Sequence, residues 1–183
     1  MMWGLLGLIV VGVICWGILA YNGLVRSRQG VKNAWSQIDV QLKRRHDLIP
    51  NLVEAVKGYL AHERQTLEQV IKARTQAVNA SNLPEKAAAE NVLTQTLRSL
   101  FAVVERYPDL KANQNVLALQ EELTSTENRI SFARQFYNDQ TARFNAAIES
   151  VPVNLVANAT GFVKAEFFQI EDPAHRDAPA VKF

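Results

Sequence analysis

Cysteine is almost missing from this chain: Cys15 is the single one, and it lies inside an apolar N-terminal run. One thiol excludes an intramolecular disulfide, a CxxC redox pair and a thiolate metal cluster. An excess of either charge is missing too. With 20 Lys and Arg against 18 Asp and Glu, no broad basic field marks a nucleic-acid surface, and no nucleic-acid partner is expected. Glycine and proline are sparse, eight and six in 183 residues, with few between Arg26 and Ser150. Their scarcity excludes a chain cut into many short strands and predicts long helices. The sequence also lacks a phosphate-cradling glycine loop, a nucleophile elbow and the Glu-x-x-His pairs of a di-iron bundle. His62-Glu63 opens like a zincin motif, but Thr66 stands where the second histidine belongs. These absences predict no metal, no cofactor and no catalytic site, hence a protein that is not an enzyme.

What is present begins with Trp3 to Tyr21, nineteen residues without a charge, ten of them Leu, Ile or Val. At helical rise they cover close to the hydrocarbon thickness of a bilayer. On an insertion scale the ten favour the membrane by roughly 3 to 6 kcal/mol. Trp3, Trp16 and Tyr21 stand toward the ends, where amphipathic rings favour the interface. A cleaved signal peptide would want a basic start, a shorter core and a small-x-small cleavage site; nothing basic precedes the run, the run is long, and Ile18-Leu19-Ala20 is a poor cleavage site, so an uncleaved anchor is preferred. Arg26, Arg28 and Lys32 follow the span before the first acid, Asp39. That bias predicts a single-pass inner-membrane protein, N-terminus out and helical body in the cytoplasm. Gly4, Gly7, Gly12 and Gly17 form no GxxxG pair.

From Leu24 the apolar run gives way to a stripe, Val31, Trp35, Ile38 and Leu42, with Arg28, Lys32, Asp39 and Lys43 on the flanks. No proline interrupts Trp3 to Arg45, so anchor and first body helix read as one. A break is predicted near His46, with Asp47 capping a new helix and Pro50 in its first turn. The second helix carries Ile49, Val53, Val56, Leu60, Leu67, Val70 and Ala77 on one side, with Glu63 near that stripe as a buried or inter-helix polar contact. Asn79 to Pro84 forms a turn in which Ser81 or Asn82 caps. Leu93, Leu97, Leu100, Val104 and Tyr107 mark a third helix, ended by Pro108 and Asp109. The fourth has the longest pattern: Leu119, Leu123, Thr126, Ile130, Ala133, Tyr137, Thr141, Phe144 and Ile148, close to a heptad seam. Short turns between helices predict antiparallel neighbours.

The predicted fold is therefore all-α: a single N-terminal transmembrane helix continuing into an elongated antiparallel four-helix bundle, with an irregular apolar C-terminal tail. The expected divisions are an anchor over 1–22, the bundle over 23–150 and the tail over 151–183. Pro152, Gly161, Pro173 and Pro179 punctuate the tail, while Phe162, Phe167, Phe168, Ile170, Val181 and Phe183 supply apolar anchors for its own bundle or a neighbouring subunit. Phe168 to Glu171 alternates as a strand does.

Two polar groupings stand out. Lys43-Arg44-Arg45-His46 suits either an anionic partner or the carbonyl end of a helix, and the second reading is preferred, worth about 0.3 to 1 kcal/mol when exposed. Asn128, Arg129, Arg134 and Asn138 border the fourth helix's seam, where they either pair with Asp39 and Glu63 or form a solvated face.

The run from Ala34 to Glu63, AWSQIDVQLKRRHDLIPNLVEAVKGYLAHE, resembles the signature of the LemA family of bacterial membrane-anchored proteins. The resemblance starts at Tyr21-Asn22 and resumes at ENRISFARQFYND, Glu127 to Asp139, at Phe144-Asn145 and in the proline-containing tail. It implies one transmembrane helix and a helical body. It gives Trp35, Asp39, Arg44, Arg45, Asp47, Pro50, Asn51, Arg129, Arg134, Tyr137 and Asn138 as signature positions without a catalytic role for any. Leu60, where smaller residues are common, and Lys182, near an end that is commonly acidic, depart from the pattern. With Glu63, Phe167, Phe168 and Phe183, these positions are the candidates for structural or interaction roles. The expectation is a noncatalytic membrane-anchored protein that self-associates into a scaffold. The alternative is an adaptor for another membrane protein, such as a protease or signalling system.

Overall fold

A computed structural model describes residues 2–60 and 63–168. Among these it contains six helices and no strand: α1 (Met2–Lys57), α2 (Arg64–Asn79), α3 (Leu83–Val104), α4 (Pro108–Lys111), α5 (Gln114–Glu149) and α6 (Val153–Ala159). The predicted all-α class holds, and α1 begins with an apolar segment long enough to cross a membrane.

The expected break at His46 does not occur. α1 runs through Asp47 and carries Pro50 in its interior. A proline there leaves the carbonyl four residues earlier, that of His46, without its amide partner. The structure supplies a substitute: Arg74 of α2 donates from Nε to the His46 carbonyl oxygen at 2.7 Å. With that acceptor satisfied from outside, the helix continues until Lys57. The turn after it is closed by the amides of Tyr59 and Leu60 on the Val56 carbonyl, at 3.1 and 3.0 Å. Asp47 is exposed mid-helix and caps nothing.

The chain divides into two compact units. One, built on Gln41–Arg129 and including Phe168, has a continuous core. Ile49, Leu52 and Val56 of α1 meet Val70 and Ala77 of α2, Leu93, Leu97 and Leu100 of α3, and Val116 and Leu123 of α5. Leu60, in the α1–α2 turn, belongs to the same core. Asn82 begins α3 by accepting from the Glu85 amide at 2.9 Å, and Glu85 reaches back to the Ser81 amide at 3.3 Å, a reciprocal cap. Pro108 starts the short α4 rather than only ending α3, and Asn113 caps α5 through the amides of Asn115 and Val116.

The other unit comprises Met1–Val40 and Ile130–Phe167. Leu24, Val31, Ala34 and Ile38 of α1 are buried, as are Ile130, Tyr137, Thr141, Phe144 and Ile148 of α5. α1 and α5 approach closely at Gly30, where an added Cβ would lie 3.1 Å from the Gln140 amide oxygen. The segment after Ser150 is less irregular than expected, because α6 forms within it. Beyond Gly161, whose φ of 71° suits a residue without Cβ, the described backbone has no regular secondary structure and is tied to α5 by hydrogen bonds. Asn145 donates to and accepts from the Ala165 backbone at 2.9 and 2.8 Å, and the Tyr137 hydroxyl donates to the Glu166 carbonyl at 2.9 Å. Ile170, Val181, Phe183 and the anticipated Phe168–Glu171 alternation lie wholly or partly outside the described residues.

Candidate functional site

The basic run Lys43 to His46 is split by helical geometry, because successive residues point about 100° apart. Arg44 faces outward and pairs with Glu122 of α5, its Nη2 at 2.5 Å and Nε at 3.1 Å from one carboxylate oxygen. Arg45 points inward and is completely buried. Since α1 does not end here, the expected contact of this cluster with helix-end carbonyls gives way to side-chain pairing.

Arg45 sits at the centre of a polar network. Its guanidinium donates to the carboxylate of Glu90 on α3, to the Glu90 carbonyl at 3.4 Å, to Thr94 at 2.9 Å and to the carboxylate of Glu127 on α5. The second Glu90 oxygen lies 2.8 Å from His46 Nε2. Arg74 holds the His46 backbone, so α1, α2, α3 and α5 are all tied to this point. Burial pushes the Glu90 carboxyl up, but the His46 hydrogen bond and the Arg45 charge outweigh it and leave the group below its ordinary value. An isolated carboxylate in an apolar core would neutralise instead. Arg45 Nε has no acceptor among the described residues.

Beside the network opens a cleft of ≈ 260 Å³, with Arg45, Thr94 and Glu127 in its lining, Leu97, Phe101 and Leu123 as apolar walls and Arg98 and Asn128 exposed. Both Glu90 oxygens are already engaged and Arg45 is balanced by two carboxylates, so the arrangement suits holding helices in register rather than activating a nucleophile.

The remaining sequence candidates are distributed. Trp35 is half-buried, its ring edge-on to Tyr137 at 5.7 Å, and Tyr137 and Arg134 are buried. Asp39 and Arg129 are exposed. Glu63 precedes α2 and lies 3.7 Å from Arg106. Phe168 is buried, Phe167 is exposed, and Phe183 lies outside the described residues. Glu90, Thr94, Glu127, Glu122 and Arg74 were not anticipated. The signal for Glu90 was available: carrying the Leu93, Leu97, Leu100 stripe one turn back lands on it.

The chain matches the LemA family over residues 34–183. It is similar to magnetosome protein MamQ 2 of Paramagnetospirillum magneticum, 28% identical over 198 residues, spanning 94% of this chain and 72% of that protein. Magnetosome protein MamQ of Magnetospirillum gryphiswaldense is 26% identical, with 90% and 69% covered. Protein LemA of Metamycoplasma hominis is 26% identical over 155 residues, with 82% and 69% covered.

Proposed function

Because this chain belongs to the LemA family, we propose that it is a noncatalytic, membrane-anchored helical protein whose copies associate into a scaffold. The observation that carries the proposal is a pair of phenylalanines on α5. Phe132 and Phe136 are 72% and 42% exposed, one helical turn apart, away from the buried seam of Ile130, Ala133 and Tyr137. An apolar pair on an otherwise polar helix face is suited to a second copy. The anchor is the uncharged start of α1, and Arg26, Arg28 and Lys32 after it favour a body in the cytoplasm against the inner membrane. Within the unit around Arg45, the helices sharing one core are read as an antiparallel bundle, with Asp47 and Pro50 inside the continuous α1 rather than at a hairpin turn. Phe167, also exposed, and Arg129 are assigned to the outward-facing interaction surface.

Native mass measurement of the detergent-extracted protein tests this reading. The expected result is one defined multiple of the monomer mass, reduced to monomer by Phe132→Glu with Phe136→Glu. A monodisperse monomer for the unsubstituted protein overturns it. The apolar-walled cleft by Leu97 and Phe101 favours a second reading, in which the protein is an adaptor holding a segment of another membrane protein. Crosslinking in intact cells distinguishes the two: recovery of self-contacts alone removes the adaptor.

A further inference from the structure

We propose a second membrane contact on the protein, formed by α6 and its flanks and lying in the headgroup layer beside the anchor. The proposal rests on the anchor reading of α1. Ser150 to Val163 carries no charged side chain and is bounded by Glu149 and Lys164. Three of its apolar residues face outward: Val151 is 80%, Leu155 66% and Val163 78% exposed. All three fall within fourteen consecutive uncharged residues, while Ala157 and Phe162 of the same stretch are buried.

Its position says what covers it. Phe162 packs edge-on against Tyr21 at 5.8 Å and against Phe144 at 6.2 Å, and the Arg28 guanidinium lies 4.9 Å over its ring. Tyr21 is the last residue of the apolar span, and Arg28 stands two turns beyond it, roughly 10 Å along the helix. Phe162 thus fastens the α6 segment to the stretch of α1 that leaves the bilayer. Interfacial segments settle about 5 to 10 Å into the boundary between headgroups and acyl chains, and with Tyr21 at the end of the anchor the α6 segment would sit at that level. Leu155 and Val163 then meet the upper acyl chains, and the exposed Arg26 and Arg28 lie at the level of lipid phosphates. Two attachments would fix the tilt and rotation of the body against the membrane, which a single helix does not.

Site-specific fluorophores on the full-length chain in phosphatidylcholine vesicles containing phosphatidylglycerol test the proposal. The native Cys15 reports on the anchor. Leu155→Cys and Val163→Cys, each made with Cys15→Ser, report on the α6 segment, and Gln65→Cys is a solvent-exposed reference. The expected result is strong quenching of Cys15 by lipid-borne quenchers placed deep in the bilayer, and of positions 155 and 163 by shallow ones. Aqueous quenching at 155 and 163 falls several-fold below that at 65. If Cys15 is quenched from the lipid but 155 and 163 behave as 65 does, the second contact is overturned and the anchor stands. If Cys15 is reached only from water, the anchor reading fails and takes the proposal with it. Shielding of 155 and 163 from water without quenching from lipid means that protein covers them, which also overturns the proposal.

Discussion

Arg74 donates a hydrogen bond at 2.7 Å to the carbonyl of His46, the acceptor that Pro50 leaves without an amide in the interior of α1. A side chain from a different helix thereby completes a backbone ladder, and the proline becomes tolerable.

The two residues should therefore be energetically coupled. Arg74→Ala exposes the loss of a partner for a part-buried carbonyl and is expected to cost about 1 to 3 kcal/mol. In a Pro50→Ala background residue 50 regains its amide, and the same substitution should cost roughly 0.5 kcal/mol or less. Denaturant unfolding of the four-member cycle measures the coupling; equal costs in both backgrounds would show that Arg74 acts elsewhere.

The Arg45 network should be sensitive to one-sided change. Removing Glu90 leaves a completely buried guanidinium with only the half-exposed Glu127 in opposition, and Glu90→Ala is expected to destabilise by about 3 to 5 kcal/mol. Arg45→Met with Glu90→Leu removes both charges together and should recover much of that loss. Glu127 loses its partner in the double variant but keeps access to water. If the double variant is as unstable as Glu90→Ala alone, the network's geometry matters beyond its charge balance.

Much of this architecture was legible because it follows from periodicity. The seam on α5 is buried at Leu123, Thr126, Ile130, Ala133, Tyr137, Thr141, Phe144 and Ile148, and the turn before α3 is capped by Asn82 as its composition implied. What was not legible depended on a partner distant in sequence. Pro50 is a helix breaker by local chemistry, and Arg74, brought up by the packing of α2, offsets that. The same misplacement concealed Arg45. Once α1 is continuous, Ile38, Leu42, Arg45, Ile49, Leu52 and Val56 form a single stripe, and a charge in its middle demands a buried counter-charge. α6 escaped notice because seven residues are too few to show a helical period.

Trp35 and Tyr137 offer a test of the other unit. Tyr137→Phe keeps the ring against Trp35 but loses the hydrogen bond to the Glu166 carbonyl, so a cost near 1 kcal/mol is expected. Limited proteolysis near Glu166 should quicken in the same variant, because that bond helps hold the segment after Gly161 on α5. Trp35 is only half-buried, so Trp35→Ala should fall below the roughly 3 to 5 kcal/mol expected for an aromatic that fills a core. A loss of that full size would mean that Trp35 is also covered by a partner.

The last prediction concerns acid. The Glu90 carboxyl is raised by burial and lowered by more through His46 and Arg45, so its folded value lies below the ordinary 4.5. In the unfolded chain, without those partners, the same group titrates at that ordinary value. Between those two values the unfolded state binds more protons, and stability rises with pH. The contribution of Glu90 is therefore complete above the unfolded value and disappears as pH falls through the folded one. Glu90→Gln has no proton to exchange there. The unfolding free energies of the two proteins, followed from about pH 7 down to about pH 3, should be widely separated near neutrality and draw together as the pH falls below the ordinary carboxyl value. A separation that stays constant across the acid range would mean that the carboxylate contributes by shape and hydrogen bonding alone, and that its charge is not what α1 and α3 share.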